Sequence, residues 1–265
     1  MKWLAICASL TAFVLALPAQ DSLPDWVLLL SRIKHHSRQD FEHIPNYVCQ
    51  ETVERFEKTS ARAPLKKLDS LRFEVAHVEH KELLALPGAA RFEDVPPSAL
   101  MSSGMLGTGA FSSLPLNLFV ADIARITPQR EAAQQTPDRL AYDFEIPVFL
   151  SGFRITAQGM SAVVGERGTF WVDANSLDLI RIEVHAVDVP PQVGMSAIDT
   201  TVEYARVSIG GDNVLLPQSA VQVAVRLVGP EQRNELKFSG CREYSSESTV
   251  RFGDTVDPPQ VAKKK

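Results

Sequence analysis

The glycine-rich stretch SSGMLGTGAFSS is the first candidate for chemistry, because Gly104, Gly107 and Gly109 fall within six positions. Loops that hold phosphate present backbone N–H groups at a helix N-terminus and usually add a Lys or Arg. Here the spacing is G-x-x-G-x-G, no βαβ pattern surrounds it, and no Lys or Arg occurs within the stretch or beside it. The sequence therefore argues against a phosphate site.

The apolar residues of the same stretch suit a different use. Soft methionines and conformationally free glycines fit a cover over an apolar cavity. In that interpretation the ligand-contacting residues are Met101, Met105, Leu106 and Phe111. A surface loop whose apolar residues pack on a sheet explains the composition equally well, and both interpretations stay open.

Two histidine pairs raise the question of a metal site. His35 and His36 are adjacent on a predicted helix, so they cannot share a face, and we expect them to be solvated. His77 and His80 lie on a predicted strand, where an odd separation sends the rings to opposite faces. Zinc needs three or four convergent ligands, so no metal site is predicted.

Asp143 and Glu145, in YDFEIP, share a strand face as the two carboxylates of a glycosidase would. Paired acidic residues on a strand usually belong to its solvent-exposed face. No nucleophile elbow, zinc-protease motif, calcium loop or Cys–His spacing occurs in the chain. We therefore predict a protein that is not an enzyme and needs no cofactor; a hydrolase assembled only in three dimensions is the minority alternative.

The first nineteen residues have the layout of a secretory signal peptide, with cleavage near Ala19. The apolar run from Trp3 to Leu17 is shorter than the roughly 20 residues that span a bilayer. The sequence predicts a periplasmic or secreted protein with no membrane span in the mature chain.

Charge and composition exclude one class of partner. The whole chain carries a net charge of −5, and removing the leader with its one Lys makes it −6. Only Lys263–Lys265 are clustered, in a predicted disordered tail over 256–265, so a nucleic-acid partner is excluded. With 45% apolar residues, 20–255 can form one domain around one large core.

Two cysteines, Cys49 and Cys241, remain after the leader is removed. In an oxidising compartment an isolated pair usually forms a disulfide, which here would tie the first strand to the last. A catalytic cysteine is the runner-up, but neither residue has a His nearby in sequence. We predict a structural Cys49–Cys241 disulfide.

The elements that must position these residues begin with a helix from Leu23 to about Phe41, capped by Asp25. NYVCQETVERFEK then alternates like a strand, and in the next strand Phe73 and Val75 face the core while Glu74 and Ala76 face away.

Residues 91–139 interrupt this β pattern as a Gly-, Ser- and Pro-rich helical insert, with a short helix over about 112–125 and Pro115 in its first turn. From Leu140 onward the sequence predicts an antiparallel meander. Its turns are predicted at GERG (165–168), DANS (173–176), IGGDN (209–213) and GPEQRN (229–234).

The short DANS turn joins two predicted strands and fixes which of their residues pair and share a face. The apolar face, which would line a ligand cavity, is predicted to carry Phe170, Val172, Ile180, Ile182 and Val184. The opposite face is predicted to carry Trp171, Arg181, Glu183 and His185, with Trp171 partly covered.

The hairpin GTFWVDANSLDLIRIEV and its continuation TTVEYARVSIGGDNVLLPQSAVQVAV resemble bacterial envelope proteins of the outer-membrane lipoprotein carrier type, the LolA/LppX-like half-barrels. FSGCREYSSESTVRF and NYVCQETVERF resemble a group of secreted bacterial proteins of unknown function. The resemblance implies an α+β fold: a curved, incompletely closed antiparallel sheet whose concave side is covered by an N-terminal helix and a helical insert. In the carrier family that side takes acyl chains.

Three functions remain open at this point. The first is a periplasmic binding or carrier module for a lipid or other apolar ligand, which requires an apolar cavity. The second is a structural or protein-interaction domain of the cell envelope, for which we expect a filled core and an apolar patch on the surface. The third is the hydrolase, which requires convergent polar groups with perturbed pKa values.

Overall fold

The computed structural model describes residues 23–244, apart from 61, 80, 90–91, 93–112, 130–137 and 158. Within these residues the elements are α1 (Asp25–Glu42), β1 (Tyr47–Lys58), β2 (Lys66–Val78), β3 (Lys81–Ala85), α2 (Ser113–Phe119), β4 (Arg125–Pro128), β5 (Arg139–Ile146), β6 (Arg154–Ala157), β7 (Met160–Val163), β8 (Gly165–Asp173), β9 (Leu179–Val187), a short 3-10 helix (Pro191–Val193), β10 (Met195–Ile209), β11 (Asp212–Arg226) and β12 (Glu231–Glu243).

Ten of these strands form one antiparallel sheet in the order β3-β2-β1-β12-β11-β10-β9-β8-β5-β4. The two ends of that order, β3 and β4, do not pair, so the sheet is not closed into a barrel. β6 and β7 pair separately as a hairpin. The predicted α+β fold with an open, curved antiparallel sheet is confirmed.

Helix α1 forms because one stripe of its surface can be buried. Leu30, Ile33, Ser37 and Phe41 are the buried residues, at the three- and four-residue spacing of a helical face. The helix spans nearly the predicted residues. The prediction that Asp25 caps it is wrong: Pro24 is the N-cap, and Asp25 lies in the first turn, where its negative charge suits the helix dipole.

Helix α2 is shorter than predicted. Pro115 lies in its first turn as expected, but the helix ends at Phe119. The chain then reverses at Asp122, which has a φ of 53°, and Arg125 opens the edge strand β4. Part of the predicted insert therefore belongs to the sheet; four residues are too few to show a period in the sequence.

Both helices pack on the same face of the sheet, which we call the concave face. Phe119 of α2 stacks on Phe41 of α1 and meets Phe170 of β8 edge-on, with ring centroids 6.4 and 5.1 Å apart. Phe170 in turn stacks on Tyr142 of β5 at 5.4 Å. These rings join both helices and the sheet in one apolar core.

A second apolar cluster lies on the same face, further from the helices. The β6–β7 hairpin contributes Ile155, the 3-10 helix contributes Val193, and Ile198 and Ala224 come from β10 and β11. The concave face is thus covered by the helices at one end and by the hairpin at the other.

Two of the four predicted turns need particular comment. Gly210 and Gly211 form the tight β10–β11 turn with φ of 61° and 100°, as predicted. GERG is not a turn but the start of β8. A Cβ on Gly168 would lie 1.9 Å from the Glu183 carbonyl oxygen, so glycine is needed there for close strand approach. The DANS turn and the β11–β12 turn are confirmed.

The Cys49–Cys241 disulfide is present and joins β1 to β12, which are neighbours in the sheet. Cys49 is fully buried in the main core. The predicted link between the first and last strands is confirmed. Because 192 residues separate the two cysteines, the bond closes a loop of almost the whole domain.

Candidate functional site

A row of polar side chains crosses the concave face between the two apolar clusters. Strand pairing places Arg55 opposite Asp69 on one side and Asn234 on the other. Asn234 is opposite Gln222, which is opposite Thr200. We call these five residues the polar row; they share one face because side chains alternate along each strand.

Arg55 carries the positive charge of this row. Its side chain is buried, with 7% of its surface exposed. Its Nε donates to Asp69 Oδ1 at 2.7 Å, and its Nη2 donates to Asp69 Oδ2. This paired geometry is the strong form of the Arg–carboxylate interaction. Asp69 is 40% exposed, so the acceptor lies at the rim and the cation lies inside.

An apolar row borders the polar row on the helix side. Val53, Leu236, Ala220 and Val202 occupy successive paired positions on β1, β12, β11 and β10. Ile182, Phe170 and Tyr142 continue it on β9, β8 and β5. All seven are buried. A charged group therefore lies directly beside a continuous apolar surface.

Glu51 is a second buried charge-bearing residue on this face, two positions along β1 from Val53. Pairing sets it between Phe73 of β2 and Phe238 of β12, and only 5% of it is exposed. Burial, with a smaller contribution from the Glu82 charge, raises the pKa of Glu51 to about 8. At neutral pH this carboxyl is therefore largely protonated.

Glu82 also acts on two buried tyrosines. Burial raises the pKa of Tyr47 and of Tyr204, and the Glu82 charge raises both further. Tyr47 stacks on His77 at 5.2 Å, and pairing sets His77 opposite Glu82. Tyr204 belongs to β10, five places from β3 in the sheet order, so the sheet curves enough for the Glu82 charge to act on it.

Helix α1 is held to the sheet by an ion-pair network. Arg206 of β10 donates to Asp40 of α1 at 2.9 Å and, through Nε, to Asp178 at 3.0 Å. His36 Nε2 lies 2.8 Å from the same Asp178. Burial alone would raise the pKa of Asp178, but hydrogen bonds from Arg206 and His36 lower it below its ordinary value.

The expectation that both helix histidines are solvated is therefore half wrong: His35 is exposed, but His36 belongs to this network. His36, Asp40 and Asp178 have donor atoms close enough to hold a metal ion. Arg206 already supplies the positive charge to both carboxylates, so the cluster is explained without an ion.

The predicted ligand-contacting residues fall into three groups. Phe170, Val172, Ile182 and Val184 lie buried in the main core, and a role in ligand contact stays a prediction. Ile180 is half-buried, because a bulge at Trp171/Val172 sets Leu179 opposite Val172 in its place. Met101, Met105, Leu106 and Phe111, like Gly104, Gly107, Gly109 and His80, lie outside the described residues.

The predicted outer face of the same hairpin is confirmed. Trp171 is half-covered, with the Arg181 guanidinium 5.6 Å from its ring centroid. Arg181 also pairs with Glu183 and Glu203. On β2, Phe73 and Val75 are buried as predicted, but Ala76 on the other face is buried too.

Asp143 and Glu145 line a groove of about 450 Å³ on the outer face, opposite the helices. Arg125, Arg167 and His185 line it as well, in a paired row across β4, β5, β8 and β9. Thr169 donates to Asp143 at 2.7 Å. Glu145, Arg125 and Arg167 are exposed, as expected for a solvent-facing side of the strands.

Sequence reasoning missed Glu51, Arg55 and Arg206. A signal existed for the first two, because they occupy every second position of β1 together with the apolar residues Tyr47, Cys49 and Val53, and so share their inward face. A charge at an otherwise apolar alternation position is itself the indication of a buried polar site. No comparable local signal marks Arg206, whose partners lie 28 and 166 positions away.

These features define an open antiparallel-sheet protein whose helix-covered face carries buried polar groups. No family profile and no curated protein matches the chain. Among solved structures, it is similar to a LolA superfamily protein from Nitrosomonas europaea, with 10% identity over 81% of this chain and 93% of that one, and a TM-score of 0.38.

A DUF1329 family protein from Desulfovibrio piger is also similar, with 9% identity over 82% of this chain and 94% of that one, and a TM-score of 0.33. The fold assignment rests on the sheet and helices described above. Among the helices in the described part of the chain, none combines the length and the apolar character needed to cross a membrane.

Proposed function

We propose that the protein is an exported binding module for an anionic, lipid-like ligand held on the concave face. The observation that carries the proposal is the position of Arg55, a buried cation beside a continuous apolar row. Burying a cation is costly without compensating charge, and the carboxylate of Asp69, which supplies that charge, lies at the exposed rim.

In this proposal the ligand's acidic headgroup takes the place of Asp69 on the Arg55 guanidinium. A carboxylate or phosphate presents the same acceptor geometry that Asp69 presents. The acyl chain lies against the apolar clusters on either side of the polar row. α1, α2 and the β6–β7 hairpin cover those clusters and are the elements that must shift to admit it.

Export is supported by two independent features. The first nineteen residues have the layout of a signal peptide, and the Cys49–Cys241 disulfide is the kind of bond that persists in oxidising compartments. The protein would therefore bind its ligand in the cell envelope or outside the cell.

The alternative is a structural or protein-interaction domain of the envelope without a small ligand. One observation favours it: rings from α1, α2, β5 and β8 already fill the concave face beneath the helices. The two functions differ in whether an amphiphile binds at all, so a binding measurement separates them.

Binding of a fluorescent fatty acid, with the matching fatty alcohol as a neutral comparison, tests the proposal. Arg55→Gln is expected to weaken fatty-acid binding about tenfold or more and to leave the alcohol unchanged. Asp69→Asn removes the competing carboxylate, so it is expected to tighten fatty-acid binding. Glu54 and Lys67 form a 2.9 Å pair between the same two strands, and Glu54→Gln is the matched control.

Native mass spectrometry of protein purified from its own compartment complements these titrations. A co-purified amphiphile would support the binding function. If no amphiphile co-purifies and neither probe binds, the structural alternative is correct. If Arg55→Gln weakens acid and alcohol equally, the headgroup role of Arg55 is wrong.

A further inference from the structure

One end of the sheet carries exposed apolar side chains on its turns. We call it the turn end; it comprises the β1–β2 turn (59–65 apart from 61), the loop before β6 (147–153), the β9–β10 connection (188–194) and the β11–β12 turn (227–230). Val228 is 88% exposed, Phe149 83% and Leu227 54%. Leu65, Leu68, Leu150 and Met160 nearby are exposed by 42 to 49%.

These turns form one connected surface. Lys58 at the end of β1 pairs with Glu231 at the start of β12, so the β1–β2 and β11–β12 turns are neighbours. The Leu227 N–H donates to the Gly194 carbonyl at 2.9 Å, which joins the β11–β12 turn to the β9–β10 connection. Val193 of that connection packs with Ile155 of the β6–β7 hairpin.

The charge of this end differs from that of the whole protein. Basic residues outnumber acidic ones around these turns, although the chain as a whole has a net charge of −5. Within the turns and one position on either side, the basic residues are Lys58, Arg62, Lys66, Arg154 and Arg226, and the acidic ones are Asp188 and Glu231. Glu166, which accepts a hydrogen bond from Ser151 of the loop before β6, is a third acidic residue at this end. Arg62, Lys66 and Arg154 are exposed. A negatively charged partner surface complements this end.

We propose that the turn end docks on a bilayer surface that contains anionic phospholipid. Phe149 and Val228 project at turns of the chain, where they can enter the interface between headgroups and acyl chains. The surrounding Lys and Arg side chains then meet lipid phosphates. Separate apolar residues on turns, flanked by basic side chains, fit a deformable bilayer better than a flat protein interface.

This proposal does not rest on ligand binding at Arg55, and the two can be tested apart. Co-sedimentation of the mature protein is compared on vesicles of phosphatidylcholine alone and of an equimolar mixture with phosphatidylglycerol. We expect binding to the mixed vesicles that weakens as salt rises. Phe149→Ser with Val228→Ser is expected to lower the partition coefficient by about tenfold or more for each side chain.

Leu86→Ser is the matched control, because Leu86 is 49% exposed but follows the edge strand β3 away from the turn end. Arg62→Gln with Lys66→Gln is expected to remove the preference for anionic vesicles. In a second measurement, the Phe149→Trp variant should show blue-shifted emission and quenching by brominated lipid when mixed vesicles are added, relative to the wild-type protein.

Circular dichroism spectra that match the wild type verify that each variant is folded. The proposal is overturned if the wild-type protein binds neither vesicle type, or if the Phe149/Val228 double variant binds as well as the wild type. An equal loss for Leu86→Ser also overturns it, as does emission from the Phe149→Trp variant that brominated lipid does not quench.

Discussion

Replacing Glu51 with Gln should make the protein less sensitive to alkaline pH. Glu51 lies between Phe73 and Phe238, and burial together with Glu82 raises its pKa from 4.5 to about 8. In the unfolded chain the carboxyl ionises near its ordinary value. Between these two pH values the Glu51 carboxyl holds one more proton in the folded protein than in the unfolded chain, so its contribution to stability is greatest at low pH and falls as pH rises.

The magnitude follows from that interval. Each pH unit between the two pKa values costs about 1.4 kcal/mol, and integrating the titration from pH 5 to pH 8 gives a loss of about 3.5 kcal/mol in the wild type. Gln resembles the protonated carboxyl and does not titrate. The free energy of unfolding of Glu51→Gln relative to the wild type should therefore rise by about this amount over the same interval.

Urea unfolding at several pH values from 5 to 8.5, followed by circular dichroism, measures this difference. Every other titrating group is common to both proteins, so the difference isolates Glu51. Glu54→Gln is the control, since Glu54 belongs to the same strand but is paired with Lys67 at the surface. If the wild type and Glu51→Gln show parallel pH profiles, the inference that Glu51 is protonated in the folded state is wrong.

Two further predictions concern the framework of the sheet. Replacing both Cys49 and Cys241 with Ser should lower the free energy of unfolding by about 2–5 kcal/mol, because the bond closes a loop of 192 residues; urea midpoints unchanged from the oxidised wild type would contradict this. Gly168→Ala should cost at least about 2 kcal/mol or prevent folding, because the added Cβ would lie 1.9 Å from the Glu183 carbonyl oxygen. Gly152→Ala meets nothing within 4 Å and should leave the thermal midpoint unchanged.

The elements that could be predicted from the sequence are those whose pattern is local. The buried stripe of α1 and the alternation of β1 and β8 follow from spacing within a dozen residues. GERG could not be interpreted correctly in this way. The sequence alone does not distinguish a glycine needed for a turn from one needed for close strand approach, and only the structure shows Glu183 against Gly168.

The candidate site was less predictable because its parts come from distant segments. Arg55 and Asp69 pair across the β1–β2 hairpin. Asn234 lies opposite Arg55 only because the first strand pairs with β12. The Arg206 network joins residues up to 170 positions apart. Composition and spacing carry no information about such long-range pairings, whereas the even cysteine count did indicate the one that is covalent.

The position of β12 has a consequence for how the chain assembles. Strand β12, the last strand of the described residues, stands between β1 and β11, so strands β1–β3 pair with the other six strands of the sheet only through it. Each of those two groups can form from local hairpins, but neither can bury its inner edge until the final strand arrives. We therefore expect the two groups to join, and the disulfide to form, only after residues Glu231–Glu243 have been synthesised, and a chain truncated before Glu231 to separate into two half-sheets with unpaired edges.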